Sequence, residues 1–227
     1  MRAVRLLPSF RTQVIQAELK SILARQLRRD YGPRFQVAHF SIQVNHLHLL
    51  VEAQAPTAEE IAASPRLVSK RAAKGLDTKE RDMLRRGIAG LAISFARAVN
   101  RILGRTGAVW ADRHHRSELE SPSKVRNALV YVLQNFRRHG ALAFGVGTVD
   151  PFSTSTGFDG WAEPHTTWEE AEPWRPEPRT WLLAVGWQRA GGKLSTLIAP
   201  PLAPDTTPPS YRPYAVTRGR QPGAPPA

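Results

Sequence analysis

An α+β fold is the class this sequence predicts, and three observations predict it. Over the first 148 residues, segments with the two-residue alternation of strands are interleaved with segments of 3.6-residue period. At 41% hydrophobic and 22% charged, the 227-residue chain can fill a core and lacks the composition of disorder. Beyond Asp150, Pro, Gly, Ser and Thr accumulate, and Ala199 to Ala227 is Pro-rich enough to predict irregular, extended chain. The predicted organisation is a domain over 1–148, a Trp-rich and partly helical accessory segment over 149–198, and a Pro-rich tail over 199–227.

Val4 to Leu7 is a short apolar strand candidate stopped by Pro8. Ser9 caps a helix whose Val14, Ile15, Leu19, Ile22, Leu23 and Leu27 are spaced for one buried stripe, and Tyr31-Gly32-Pro33 ends it. Phe35 to Val44 and His46 to Ala53 read as two strands joined tightly near Asn45. Gln54 to Thr78 is Ala-rich and has no clear period. Glu80 to Leu103 is a long helix with Leu84, Ile88, Leu91, Phe95, Val99 and Ile102 inward and many arginines outward, stopped by Gly104 and Gly107. Ala108 to Arg113 is a strand that extends toward Leu119. Ser121-Pro122 opens a last helix, Ser as N-cap and Pro in the first turn, which Gly140 closes. Without its final helix, the order β-α-β-β-α-β-α is the ferredoxin-like (RRM-like) arrangement. Such a fold is an antiparallel sheet with helices on one face, and the other face is left for a ligand or a second subunit.

The formal net charge is +13, from 32 Lys and Arg against 19 Asp and Glu, which favours polyanionic partners. There are no cysteines, so disulfides, thiolate metal sites and a cysteine nucleophile are excluded. Any metal must sit on His, carboxylate, amide or water, the ligands of harder divalent ions. No apolar run reaches the length of a membrane span, and the N-terminal apolar stretch is too short for a secretory signal, so a cytoplasmic protein is expected.

The chemistry-bearing segments are the histidine strand and the last helix. In a strand His46, His48, Leu50 and Glu52 share one face, and Leu47, Leu49, Val51 and Ala53 the other. Two imidazoles two residues apart on one face can converge on a cation, although a His-x-His pair more often arises by chance. On the last helix Val125, Leu129, Val132 and Phe136 form the inward arc. Tyr131 lies beside it, on the side of Lys124, Asn127, Asn135 and Arg138. A tyrosine there is ordinarily packing, but basic and amide neighbours suit a phosphate. With the helix beside the strand, His46, His48 and Asn135 form a metal-binding set next to Tyr131. Attack of a phenol on a phosphodiester needs the charge neutralisation that a divalent ion provides.

Three blocks resemble a known family, the single-tyrosine HUH transposases, in the branch related to REP-associated tyrosine transposases. They are Phe40-Ser41-Ile42-Gln43-Val44-Asn45-His46-Leu47-His48-Leu49-Leu50-Val51, Val109-Trp110-Ala111-Asp112-Arg113-His114-His115-Arg116, and the helix from Val125 through Tyr131 to Asn135. The resemblance covers roughly residues 35–140. It implies a ferredoxin-like domain, magnesium or manganese, and cleavage and strand transfer of single-stranded or hairpin DNA through a covalent 5′-phosphotyrosine. It places metal ligation on His46 and His48, nucleophilic attack on Tyr131 and a third ligand on Asn135. The chain departs from that pattern in its short first strand, its enlarged Gln54–Thr78 segment, and Asn135-Phe136 where many relatives carry Asn-Pro.

Several further residues are candidates. Glu52 is the alternative third ligand, against the plainer reading of a solvated strand end. Arg113 and Arg116, with Lys124, Asn127 and Arg138, are expected DNA contacts. His114 and His115, adjacent in a strand, point to opposite faces and cannot readily share one ion. The arginines of the long helix are either DNA-backbone contacts or a solvated face. Trp181 to Trp187 suggests a short helix docked on the domain. The competing function is a catalytically silent DNA-binding regulator, and a homodimer is compatible with either. An RNA-binding module is disfavoured, because the central strands lack an aromatic pair to stack bases.

Overall fold

A computed structural model describes residues 1–26, 34–54, 57, 59, 62, 76–112, 116–139, 147–167 and 177–197. The helix-ending turn at 31–33, most of the Ala-rich segment, Arg113, His114, His115, Gly140, Trp168, Trp174 and the tail lie outside these residues, as does the side chain of Arg138. The class is mixed α+β.

Helix α1 spans Gln13–Gln26 and buries Ile15, Leu19, Ile22 and Leu23. Of the expected stripe, Val14 is 65% exposed instead, and Leu27 lies outside the described residues. Strands β1 (Phe35–Ile42) and β2 (Leu47–Ala53) form an antiparallel pair running from Phe35↔Ala53 to Ile42↔Leu47, with an irregularity between Val37 and His39. The irregularity follows from the sequence. Phe35 and Val37 face one core at odd positions, while Phe40 and Ile42 face the same core at even ones. A single extra residue, Ala38, restores the alternation by a bulge.

The first strand is not where the hydrophobicity put it. Bridges form at Arg2 and Ala3, whereas Leu6 is fully exposed with φ 75°, so Val4–Leu7 is not a strand. Met1 to Ala3 lies along His46: Leu47 N–H donates to Met1 O at 2.9 Å and Ala3 N–H to Asn45 O at 2.7 Å. On its far side Val4 N–H donates to Val109 O at 2.8 Å and Ala111 N–H to Arg2 O at 2.9 Å. Among the described residues, the expected strand from Ala108 toward Leu119 pairs around Trp110, and its residues 113–115 lie outside them. In space the segments run β1, β2, 1–3, 109–111, each antiparallel to the next.

Helix α2 spans Leu76–Ile102 and α3 spans Pro122–Leu133. In α3 the Ser121 side chain accepts from Lys124 N–H, and Pro122 occupies the first turn. The α-helix stops at Leu133, short of the expected end at Gly140: Gln134 is the C-cap, and Asn135–His139 is a 3₁₀ turn rather than a continuation of α3.

Two cores flank the sheet. One gathers Leu47, with Leu49, Val51 and Ala53 against it, under α1 and α2 through Ile22, Leu91, Phe95 and Val99. The other gathers Leu50 under α3 through Val125, Leu129 and Val132. The alternation on β2 divides its residues as a strand requires. The second face, expected to be open, is covered. Val149, Phe158, Trp161, Leu183, Trp187 and Leu194 pack into the α3 core. Residues 149–197 thus bury apolar area against the 1–148 region. Arg11 fastens them with paired hydrogen bonds to Asp150 at 2.9 and 2.8 Å, and Ile42 N–H donates to Phe152 O at 2.9 Å. The expected short helix is α4, Trp181–Ala184, followed by a 3₁₀ turn over Gly186–Ala190.

Candidate functional site

His46 and His48 sit on the strand edge shared by β1 and the N-terminal segment, so backbone pairing on both sides holds them. Their rings meet edge to face with centroids 4.7 Å apart. The His46 Nδ1 lies 2.9 Å from Asn45 Oδ1, a contact that orients the ring. Across from them stands Tyr131, near the C-terminus of α3. Its ring is 4.8 Å from that of His48, and its hydroxyl is 3.5 Å from His48 Nε2. All three side chains are half-buried, so each is braced and still open to solvent.

The helix-to-strand approach has a physical cause. Leu50, two residues from His48 on the same face, is buried with Leu129 and Val132, the residues that flank Tyr131 on α3. Burying those apolar side chains brings Tyr131 over His48.

Asn135 lies at the start of the 3₁₀ turn and is 1% exposed, and its buried Nδ2 has no hydrogen-bond partner. An unpaired buried amide costs roughly 1–3 kcal/mol unless something supplies the missing partner. Of the expected ligands, the structure brings the two imidazoles together. Among the described residues, no group of three or more His, Cys, Asp or Glu stands ready to hold a metal.

Glu52 is neither solvated nor available. It is 7% exposed, and its carboxylate accepts from Gln36 Nε2 at 2.6 Å, Arg179 N–H at 2.9 Å, Thr180 N–H at 2.8 Å and the Thr180 hydroxyl at 2.6 Å. It ties β2 to the start of α4, which corrects its candidacy as third ligand. Of the expected DNA contacts, Lys124 is exposed and pairs with Glu120 at 2.9 Å, Asn127 is exposed, and Arg116 is exposed 4.0 Å from Glu118. Arg137 instead donates to Thr148 O at 3.1 Å and to Thr196 O, fixing the 3₁₀ turn to the C-terminal segment.

One histidine escaped the sequence reading. His39 on β1 is 7% exposed, with its Nδ1 3.1 Å from Thr154 Oγ1 and its ring against Phe158. Burial pushes its pKa down to about 4, so it is a neutral core residue. The bulge at Ala38 is what turns it inward, and the shift in apolar parity between Val37 and Phe40 is the signal that would have found it.

No helix among the described residues is long and apolar enough to cross a membrane. Comparisons with protein-family models, curated proteins and solved structures find no match to this chain.

Proposed function

We propose that this protein is a metal-dependent, cytoplasmic strand transferase that cleaves single-stranded DNA through Tyr131. The observation that carries the reading is the convergence of Tyr131 on the histidine pair, its hydroxyl 3.5 Å from His48 Nε2. The spatial order β1, β2, 1–3, 109–111, with α1 and α2 on one face, supports a ferredoxin-like domain. The three sequence blocks that resemble HUH transposases supply its central strand, its edge strand and α3.

His46, His48 and Asn135 would hold a divalent ion, which when bound would neutralise charge on the scissile phosphate. The residues of the chain do the rest. The Tyr131 oxygen attacks phosphorus and gives up its proton to solvent, the P–O3′ bond breaks, and the 3′ oxygen takes a proton from solvent and leaves as a hydroxyl. The strand's 5′ phosphate remains esterified to Tyr131. His48 Nε2 has one lone pair, so it either accepts from the Tyr131 hydroxyl or ligates. Using it as a ligand releases the phenol toward the phosphate. Lys124 and Asn127, two turns and one turn before Tyr131 on α3, line the approach of the strand.

Incubation with labelled single-stranded hairpin DNA and manganese tests this reading. It expects an adduct that survives denaturation, lost in Tyr131→Phe and in the His46→Ala, His48→Ala double variant. DNA binding with no adduct across a panel of hairpin substrates would favour a silent regulator.

A further inference from the structure

A cationic groove lies on the other side of the sheet. Helices α1 and α2 pack side by side, and a groove of about 180 Å³ between them is lined by Glu18, Ile22 and Arg25 of α1 and by Ser94, Arg97, Ala98 and Arg101 of α2. Ile22 and Ala98 form its floor and belong to the core beneath Leu47 and Leu49. His48 points the opposite way from those leucines, toward α3. The groove therefore faces away from Tyr131.

Its charge is arranged rather than scattered. Arg25 Nη2 and Arg101 Nη2 both donate to the same Glu18 oxygen, each at 3.0 Å. The hydrogen bond from Arg25, joined by that from Arg101, holds the Glu18 carboxyl below its ordinary pKa, so it is ionised. One carboxylate thus positions two guanidinium groups from different helices. Arg97 stands exposed one turn from Arg101 on α2. Three arginines against one glutamate leave the groove at +2. Each guanidinium has five N–H donors, and Glu18 occupies only one nitrogen of Arg25 and one of Arg101. Donors remain for phosphate oxygens without dismantling the pair, and the small side chains of Ser94 and Ala98 let an oxygen approach.

We propose that this groove binds the phosphodiester backbone of nucleic acid, as a contact surface separate from the Tyr131 site. Charge complementarity selects the occupant: the whole chain carries +13, and guanidinium forks suit phosphate oxygens better than point charges do. Backbone contacts of this kind carry affinity and no base specificity.

The test measures binding of a fluorescent single-stranded oligonucleotide of mixed sequence by anisotropy over a series of salt concentrations. An Arg25→Gln, Arg97→Gln, Arg101→Gln variant is compared with an equal-charge control, Arg5→Gln, Arg179→Gln, Arg189→Gln. The groove variant should weaken binding about tenfold or more and flatten the log–log salt slope by about two, since each lost single-strand contact removes about 0.7. The control should change the slope by much less. Glu18→Gln should tighten binding several-fold, an outcome that a merely structural ion pair does not produce. The groove and control variants are also assayed for the denaturation-resistant hairpin adduct, so loss of the slope effect and loss of the adduct separate failure of this site from failure of the strand-transfer reading. Equal slopes for groove and control variants overturn the proposal. So does tripolyphosphate binding that is lost in the groove variant while DNA binding is kept, because the ligand would then be a free polyphosphate.

Discussion

The Arg11–Asp150 ion pair is one buried fastening between the N-terminal region and the C-terminal segment, and breaking it has a calculable effect. Asp150 is fully buried, and the Arg11 side chain is 19% exposed. Arg11 grips both carboxylate oxygens, donates to Ile42 O at 3.1 Å and lies 4.3 Å over the Phe152 ring. Burial raises the Asp150 pKa even against the opposing pull of Arg11. Arg11→Met keeps the stem but leaves a buried carboxylate unpaired, which costs roughly 3–5 kcal/mol. With a urea m-value of about 2 kcal/mol/M, the midpoint should fall by roughly 2 M. Trp161 and Trp187, both buried in the adjoining core, report the transition by fluorescence. Adding Asp150→Asn should recover most of the loss, because a neutral amide no longer needs a counter-charge and its oxygen still accepts from Phe152 N–H. The sign with pH is fixed as well. Without Arg11 the folded-state pKa of Asp150 rises further above its unfolded value. The protonated form is then the one the fold favours, and the deficit of Arg11→Met should shrink as pH falls from 7 toward 4. A single variant within about 1 kcal/mol of the parent, or a double variant no better than the single, would refute the reasoning.

Two further outcomes are expected. The His39 pKa is about 4 when folded against 6.5 when unfolded, so the unfolded chain binds the extra proton between those values. Stability from this group is complete above pH 6.5 and is lost as pH falls toward 4, by roughly 3 kcal/mol, and His39→Gln should flatten that part of the stability–pH curve. On α2, a Cβ at Gly87 would stand 2.3 Å from Cγ of the buried Phe35 ring, while one at Gly90 meets nothing within 4 Å. Gly87→Ala should therefore lose roughly 1–3 kcal/mol by overpacking, and Gly90→Ala should gain up to about 1 kcal/mol from helix propensity. Thermal melts that moved both variants in the same direction would contradict that packing.

What could be read in advance follows the range of the interaction that decides it. The face alternation of β2 is a property of its own backbone, so the assignment of Leu47 and Leu49 to one core and His48 and Leu50 to the other needed no partner. The Ser121 cap is equally local. Features set by distant chain were not legible. Val14 has a helical spacing but no neighbour to cover it. Val4 to Leu7 is apolar, but the backbone groups that could pair with strand lie beside Arg2 and Ala3 instead. Glu52 looked like a free carboxylate because its partners, Arg179 and Thr180, arrive from 127 and 128 residues away. The same long-range contact explains why residues 149–197 could be taken for an accessory piece: their low apolar density hides Trp161, Trp187 and Leu194, which complete the core under α3.

That completion bears on the site itself. Tyr131 is held over His48 by α3, and α3 is held by two sets of contacts, Leu50 from the strand and Leu183, Trp187 and Leu194 from the C-terminal segment. Gln134 and Arg137 add hydrogen bonds from the helix end to Ser195 O, Thr148 O and Thr196 O. The strand residues alone give α3 one side to pack on, and a helix supported on one side can shift along its axis. An ångström of such shift is enough to spoil alignment of a nucleophile. The C-terminal segment therefore positions the candidate nucleophile through its packing on α3. Trp187→Ala, a truncation in that segment, should move the ring of Tyr131 away from His48 before it unfolds the sheet.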